Sequence, residues 1–293
     1  MTRTRATTIG FGAILLWALL ALLAVGSAPV PPFLLNALTF AIGGGVGIVW
    51  TLATGNLGTL RRVPLRVYAF GTVALFGYHA LYFSALRMAP AAEASLIAYL
   101  WPLLIVLFSG LLPQERLTGA HVTGALIAFA GAALIVVKPG MALSGAALPG
   151  YALALLCAIT WAGYSVLSRQ LGAIPTEAVA VFCLATAALS VPAHLAFEET
   201  LWPAGMRGWL AILALGLGPV GLAFYVWDIG VKKGDIQLLG VASYAAPLLS
   251  TLALILAGIA NATPQLVLAA LMITAGAALA AWASATGSRK VQA

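Results

Sequence analysis

Apolar residues in this chain do not alternate with polar ones. They run in blocks separated by short stretches where Arg, Lys, Pro and Gly collect. The blocks lie at 7–25, 32–54, 66–88, 91–112, 118–137, 148–168, 175–196, 207–231, 236–259 and 264–286. Each approaches the ~20 residues that a helix needs to cross the hydrocarbon core of a bilayer. Backbone polar groups find no water there, so spans of this length must be helices. A transmembrane barrel would show alternating strands of ~10 residues instead. The pattern predicts an all-α polytopic membrane protein with ten transmembrane helices, its outer surface facing a lipid bilayer.

The first block needs a separate test. Arg3 and Arg5 precede it and Val25-Gly26-Ser27-Ala28 closes it, which is the outline of a secretory signal. The apolar run from Ile9 to Val25 is longer than the ~7–15 residues of a signal core, so it reads as the first transmembrane helix.

Composition agrees with the blocks. Of 293 residues, 63% are hydrophobic and 7% charged, where a soluble domain carries about 25% charged residues. The formal charge of +7 raises nucleic acid as a partner, but the basic residues form no dense stripe or basic helix. They sit between the apolar blocks. Across ten spans, Arg3, Arg5, Arg61, Arg62, Arg66, Arg116, Arg169, Lys232, Lys233, Arg289 and Lys290 fall on the side of the termini. Arg87, Lys138 and Arg207 fall on the other. That bias predicts that both termini are cytoplasmic. Cys157 and Cys183 lie inside apolar blocks and offer neither a disulfide framework nor metal-ligand spacing, so no metal is expected.

The chain also matches itself at a constant offset. Tyr99-Leu100-Trp101-Pro102-Leu103-Leu104 corresponds to Tyr244-Ala245-Ala246-Pro247-Leu248-Leu249, shifted by 145. Gly131-Ala132-Ala133-Leu134 corresponds to Gly276-Ala277-Ala278-Leu279 at the same shift, and Thr118 to Thr263. Two halves follow, 1–142 and 143–293, each with five spans. Five is odd, so the second half enters the membrane inverted, a transporter architecture with its substrate path at the interface of the repeats. Pro102 and Pro247 stand at matched positions within the fourth span of each half. Each removes the N–H that would serve the carbonyl four residues back, at Ala98 and Ser243. Paired interruptions of this kind point to a binding site, and a plain structural kink is the other reading. Gly216, Gly218, Pro219 and Gly221 loosen the eighth span as a hinge or for close packing. Gly43 and Gly47 form a packing face in the second.

Aromatic residues divide by depth. Trp50, Tyr68, Tyr151, Trp202, Trp209 and Trp282 lie near span ends, where Trp and Tyr form interfacial belts. Trp17, Tyr78, Tyr82, Tyr99, Trp101, Trp161, Tyr164 and Tyr244 lie deeper, where a phenol or indole needs a partner and so faces the bundle or a cavity. Tyr78 and Tyr82 share a helix face, Trp161 and Tyr164 share another with Ser165 and Ser168, and Ser95 aligns with Tyr99. These side chains, with His79 and Ser243, are the candidate substrate-binding residues. An aromatic, mildly polar cavity suits a flat organic small molecule, an organic cation or an aromatic amino acid. His79 is the deepest ionisable group, functional by default in a membrane or else a structural bridge between hydroxyls. Glu93 and Asp228 are expected to pair with Arg87 and Lys232, and His121, His194 and Glu177 to be structural.

The chain resembles the drug/metabolite transporter superfamily, in particular its EamA-type ten-helix members, through its ten spans, its two halves and the matched proline blocks. Within that family it is similar to aromatic amino acid exporters, through Tyr78, His79, Tyr82, Tyr99 and Trp101. The resemblance implies export of small metabolites across the inner membrane by alternating access. On that expectation the substrate ring stacks on Trp101, Trp161 and the tyrosines. Its ammonium meets the carbonyls near Ala98 and Ser243, and its carboxylate meets His79 or a phenol.

Other classes find less support. No zinc-protease, nucleophile-elbow or paired-aspartate motif is present, so no catalytic residue is assigned. No charge ring or filter-like loop marks a channel. No phosphate-binding loop is present, so the chain is expected to work without cofactor or ATPase subunit, and a complete pair of halves makes an obligate dimer unnecessary.

Overall fold

The computed structural model describes residues 1–113, 115–137, 140–141, 144–171 and 174–292, with side chains described as far as Thr286. Among these residues the regular structure is entirely helical, and ten helices are long and apolar enough to span a membrane. They are α1 (Arg3–Gly26), α2 (Pro32–Ala53), α3 (Leu65–Met88), α4 (Ala91–Ser109), α5 (Gly119–Val136), α6 (Gly145–Gln170), α7 (Ala178–Phe197), α8 (Gly205–Lys233), α9 (Ile236–Leu256) and α10 (Pro264–Thr286). The chain is a multi-pass membrane protein, as its apolar blocks predict. Its expected midpoint, between residues 142 and 143, lies outside the described residues, as do Lys138 and the side chains of Arg289 and Lys290.

Helix ends depart from the apolar blocks where capping decides them. α1 begins at Arg3, ahead of its apolar run, because the Thr2 hydroxyl accepts from the Arg5 N–H at 3.3 Å and satisfies a free donor of the first turn. Inside the spans, α1 breaks at the single residue Leu19, and two further helices are interrupted over two residues each. α4 consists of Ala91–Ala98 and Trp101–Ser109, and α9 of Ile236–Ala242 and Ala245–Leu256. Pro102 and Pro247 sit in the first turn after each break, where a missing N–H costs least. α8 widens into a five-residue π-helical turn at Gly218–Leu222, a local irregularity of a sort that gathers at functional sites.

α1 packs along α8, α3 along α6, α2 along α7 and α8, and α5 along α10, while α4 packs against α6 and, less extensively, α9. Small residues set the closest approaches. A Cβ on Gly43 of α2 would lie 2.7 Å from the Gly221 Cα of α8, and one on Gly124 of α5 would lie 2.6 Å from the Gly276 carbonyl oxygen of α10. Both seams therefore bring backbone against backbone, as small residues in membrane helices permit. Trp227, Val231, Ile236 and Leu239 are wholly buried and fill the half of the bundle nearer the termini.

Ionisable residues follow the expected pattern with one exception. Lys232 Nζ lies 2.8 Å from Asp228 Oδ1. Arg87 does not pair with Glu93, however; it reaches Glu198 at 3.3 Å. Glu198 also accepts from the Phe33 and Leu34 N–H groups at the start of α2 and contacts His194 Nδ1 at 3.0 Å. These donors hold Glu198 within reach of Arg87, whereas Glu93 is buried in the first turn of α4. Glu177 accepts from Asn56, and His121 closes a capping box with Thr118.

Candidate functional site

Between α1, α3, α4, α6, α8 and α9 lies a cavity of about 210 Å³. Its walls carry Trp17, Tyr78, His79, Tyr82, Tyr99, Trp101 and Trp161, seven of the ten residues singled out from the sequence. They come from four spans, and it is the crossing of those spans that gathers them. The Trp17 ring meets Trp101 and Trp161 edge-on at 6.0 Å each, and Trp101 meets Trp161 at 6.5 Å. Edge-to-face packing of this kind contributes about 0.5–1.5 kcal/mol per pair beyond area burial and fixes ring orientation. The Trp17 indole donates to the Pro219 carbonyl at 3.1 Å, tying α1 to the wide turn of α8. Tyr78 and Tyr82 lie parallel one turn apart, and the Tyr82 hydroxyl shares a hydrogen bond of 2.9 Å with Ser95.

The other three residues do not line the cavity. Tyr164 is buried and stacks on Trp161 at 5.3 Å, supporting a wall from behind. Ser243 is buried and donates to the Leu239 carbonyl at 2.7 Å, while its own carbonyl accepts from Ala246 N–H at 3.0 Å. That carbonyl is already engaged, contrary to the expectation from Pro247. The Tyr244 hydroxyl accepts from the Leu103 N–H at 3.1 Å, just past Pro102. It satisfies a free donor in the first turn of a restarted helix and clips α9 to α4.

Pro219, Val220 and Phe224 of α8 also line the cavity. Pro219 stood out in the sequence only as part of a loosened turn, and Val220 and Phe224, being apolar, gave no signal as single residues. The spacing of Val220, Phe224 and Trp227, four and three apart, marks one helix face that would have found them. The Phe224 ring lies over Phe40 at 5.4 Å, and the Trp227 indole donates to Ser165 at 3.1 Å beneath the cavity floor. Among the described residues no Asp, Glu, Lys or Arg lines the cavity, and His79 is the sole ionisable side chain there apart from phenols. No group of three or more His, Cys, Asp or Glu among the described residues is placed to hold a metal ion.

At the end of the bundle that bears the N-terminus, an ionic cluster ties the same spans together. Arg169, at the end of α6, pairs with Glu115 and donates to the Val231 and Gly234 carbonyls at 2.9 and 2.8 Å. Arg3 reaches Glu115 at 3.0 Å and Asp235 at 3.4 Å. The Asp235 N–H donates to the Thr7 hydroxyl at 2.8 Å. The Glu115 side chain is only 2% exposed, so each of its oxygens needs the partner it has. Arg3 and Arg169, read from the sequence as orienting charges, are thus structural partners as well.

A ring-lined chamber among ten membrane spans, with packed core and ion pairs beyond its floor, defines a helical membrane protein that accommodates a small molecule in its interior. The chain belongs to the EamA-like transporter family, whose sequence profile matches residues 5–137 and again 148–282. It is 55% identical over 282 residues to the aromatic amino acid exporter YddG of Ancylobacter novellus, covering 96% of this chain and 98% of that one. It is 29% identical to the aromatic amino acid exporter YddG of Salmonella typhimurium over 86% and 88% of the two chains. The pseudopaline exporter CntI of Pseudomonas aeruginosa is 36% identical over 48% of each chain. A crystal structure of a protein 56% identical superposes with a TM-score of 0.91, covering 95% of this chain and 98% of that one.

Proposed function

We propose that this protein exports aromatic amino acids across the inner membrane as a secondary carrier, by alternating access and without catalysing a covalent reaction. The observation that carries the reading is the cavity: small, walled by indoles and phenols, and free of acidic or strongly basic side chains. Such a chamber takes one flat ring and leaves little room for a drug-sized solute. The names of relatives matched over nearly the whole chain agree with it.

In this reading both termini are cytoplasmic, following the distribution of Lys and Arg. The cavity then lies toward the outer side. Leu20, Tyr82 and Ser250 near the outer ends of α1, α3 and α9 line it, and the ionic cluster closes the cytoplasmic end. Passage through that end requires the cluster to break and re-form. The halves 1–142 and 143–293 act as two rocking bodies in a monomer that needs no ATPase subunit. Two features support that division. The family profile matches twice. Exchanging the two halves also maps the α1–α8 pairing onto α3–α6, and each of α2–α7, α4–α9 and α5–α10 onto itself.

Counterflow tests this directly. Proteoliposomes loaded with unlabelled phenylalanine should accumulate labelled phenylalanine saturably, inhibited by tryptophan and tyrosine but not by alanine or lysine. Absence of counterflow in vesicles holding folded protein would move the substrate to another class of metabolite within the same family.

A further inference from the structure

An aromatic amino acid brings two charges into this cavity, and its lining among the described residues has no fixed charge of either sign to meet them. The polar groups that remain are hydroxyls, indole N–H groups and one imidazole. Hydroxyls donate or accept, and indoles only donate. The imidazole is committed by its own helix. His79 Nδ1 lies 2.8 Å from the carbonyl oxygen of Leu75, one turn back, and a carbonyl can only accept, so Nδ1 carries the proton. Among the described residues no carboxylate is bonded to the ring to hold a second proton. Its aromatic neighbours include Phe40 at 5.0 Å, Tyr78 at 5.1 Å, Phe83 at 6.0 Å and Phe224 at 6.5 Å. An unpaired buried charge is costly, so the ring stands as the neutral tautomer. Nε2 is then a bare acceptor on a residue that lines the cavity, with no hydrogen-bond partner among the described residues.

We propose that His79 determines which end of the substrate points where: its Nε2 accepts a hydrogen bond from the substrate's ammonium group, so the cavity selects aromatic solutes that carry an amine. This rests on the reading of the cavity as a substrate site. It reverses the role expected for His79 from sequence, where the ring was paired with the carboxylate. The surrounding ring faces favour a cation at the same place. Ala98 also lines the wall, one turn before Pro102. The carboxylate is left to the donors of the lining, the phenols and indoles.

The test uses two half-substrates, phenethylamine with an ammonium and no carboxylate, and 3-phenylpropionate with the reverse. Binding of each to the purified full-length protein is read by quenching of the cavity tryptophans, and independently by inhibition of phenylalanine counterflow. His79→Leu should weaken phenethylamine roughly 10-fold or more, the effect of losing a charge-assisted hydrogen bond. It should leave 3-phenylpropionate within about twofold, and His79→Gln, whose side-chain carbonyl can accept, should recover part of the loss. The opposite pattern, with 3-phenylpropionate weakened and phenethylamine spared, would overturn the assignment. Equal weakening of both would also overturn it, leaving His79 as a wall. If phenylalanine shows no counterflow but phenethylamine binding depends on His79, the amino acid reading fails while the ammonium site stands.

Discussion

The Trp17 indole meets three partners at once: the Pro219 carbonyl at its N–H, and the rings of Trp101 and Trp161. Trp17→Phe keeps a ring and deletes the donor, leaving a carbonyl of the wide turn without its partner. The expected loss is about 1 kcal/mol of stability, visible as a lower Tm in detergent, with ligand quenching retained through Trp101 and Trp161. Trp101→Ala removes ring surface from the cavity itself. It should abolish counterflow while the protein still elutes as a folded species; normal transport by Trp101→Ala, Tyr78→Ala and Tyr99→Ala alike would displace the site. The aromatic residues of the cavity were legible in the sequence because a phenol or indole deep in a span has to face protein or a cavity rather than lipid. Phe224 and Val220 were not, because an apolar side chain is equally at home in all three. Tyr164 and Tyr244 satisfy the same depth rule through packing and a backbone N–H, which one-dimensional spacing does not distinguish from lining.

Ten helices could be read directly because lipid forbids unpaired backbone, and the breaks in α4 and α9 fall where the paired prolines stand. The two breaks are not equivalent. The Ser243 carbonyl is taken up by the Ala246 N–H, while Ala98 lines the cavity. Pro102→Ala restores an N–H one turn beyond Ala98 and favours a continuous helix. Transport should fall while Tm holds or rises; a lower Tm with normal transport would make the break a matter of packing only. At the seam of α2 and α8, Gly43→Ala places a methyl 2.7 Å from the Gly221 Cα, where backbone must move. The expected cost is about 1–3 kcal/mol, read as a drop in Tm, while Ala at Gly45, which meets nothing within 4 Å, should be silent.

Across the whole molecule, the sequence put Arg3 and Arg169 at one end of the bundle, where both lie, but did not reveal their partners. Glu115 lies between α4 and α5 and Asp235 between α8 and α9, and only the assembled bundle brings them together. Glu115→Gln leaves Arg169 without its carboxylate, and losing one member of a buried pair typically costs about 3–5 kcal/mol. That cost falls on the closed arrangement, so the population shifts toward one open at this end. With Cys157 and Cys183 replaced by Ala, a cysteine introduced at the buried Ser168 should react at least about tenfold faster with a thiol reagent applied from the side of the termini. An unchanged rate would mean that the ion pairs do not hold this end shut. The seam between α5 and α10 has a different consequence. With the Gly124 backbone directly against Gly276 and no side chain between them to repack, this seam is the pivot on which the two proposed rocking halves turn. A covalent clamp across the pivot should leave turnover running, and the displacement of each cycle falls on the spans farther from it.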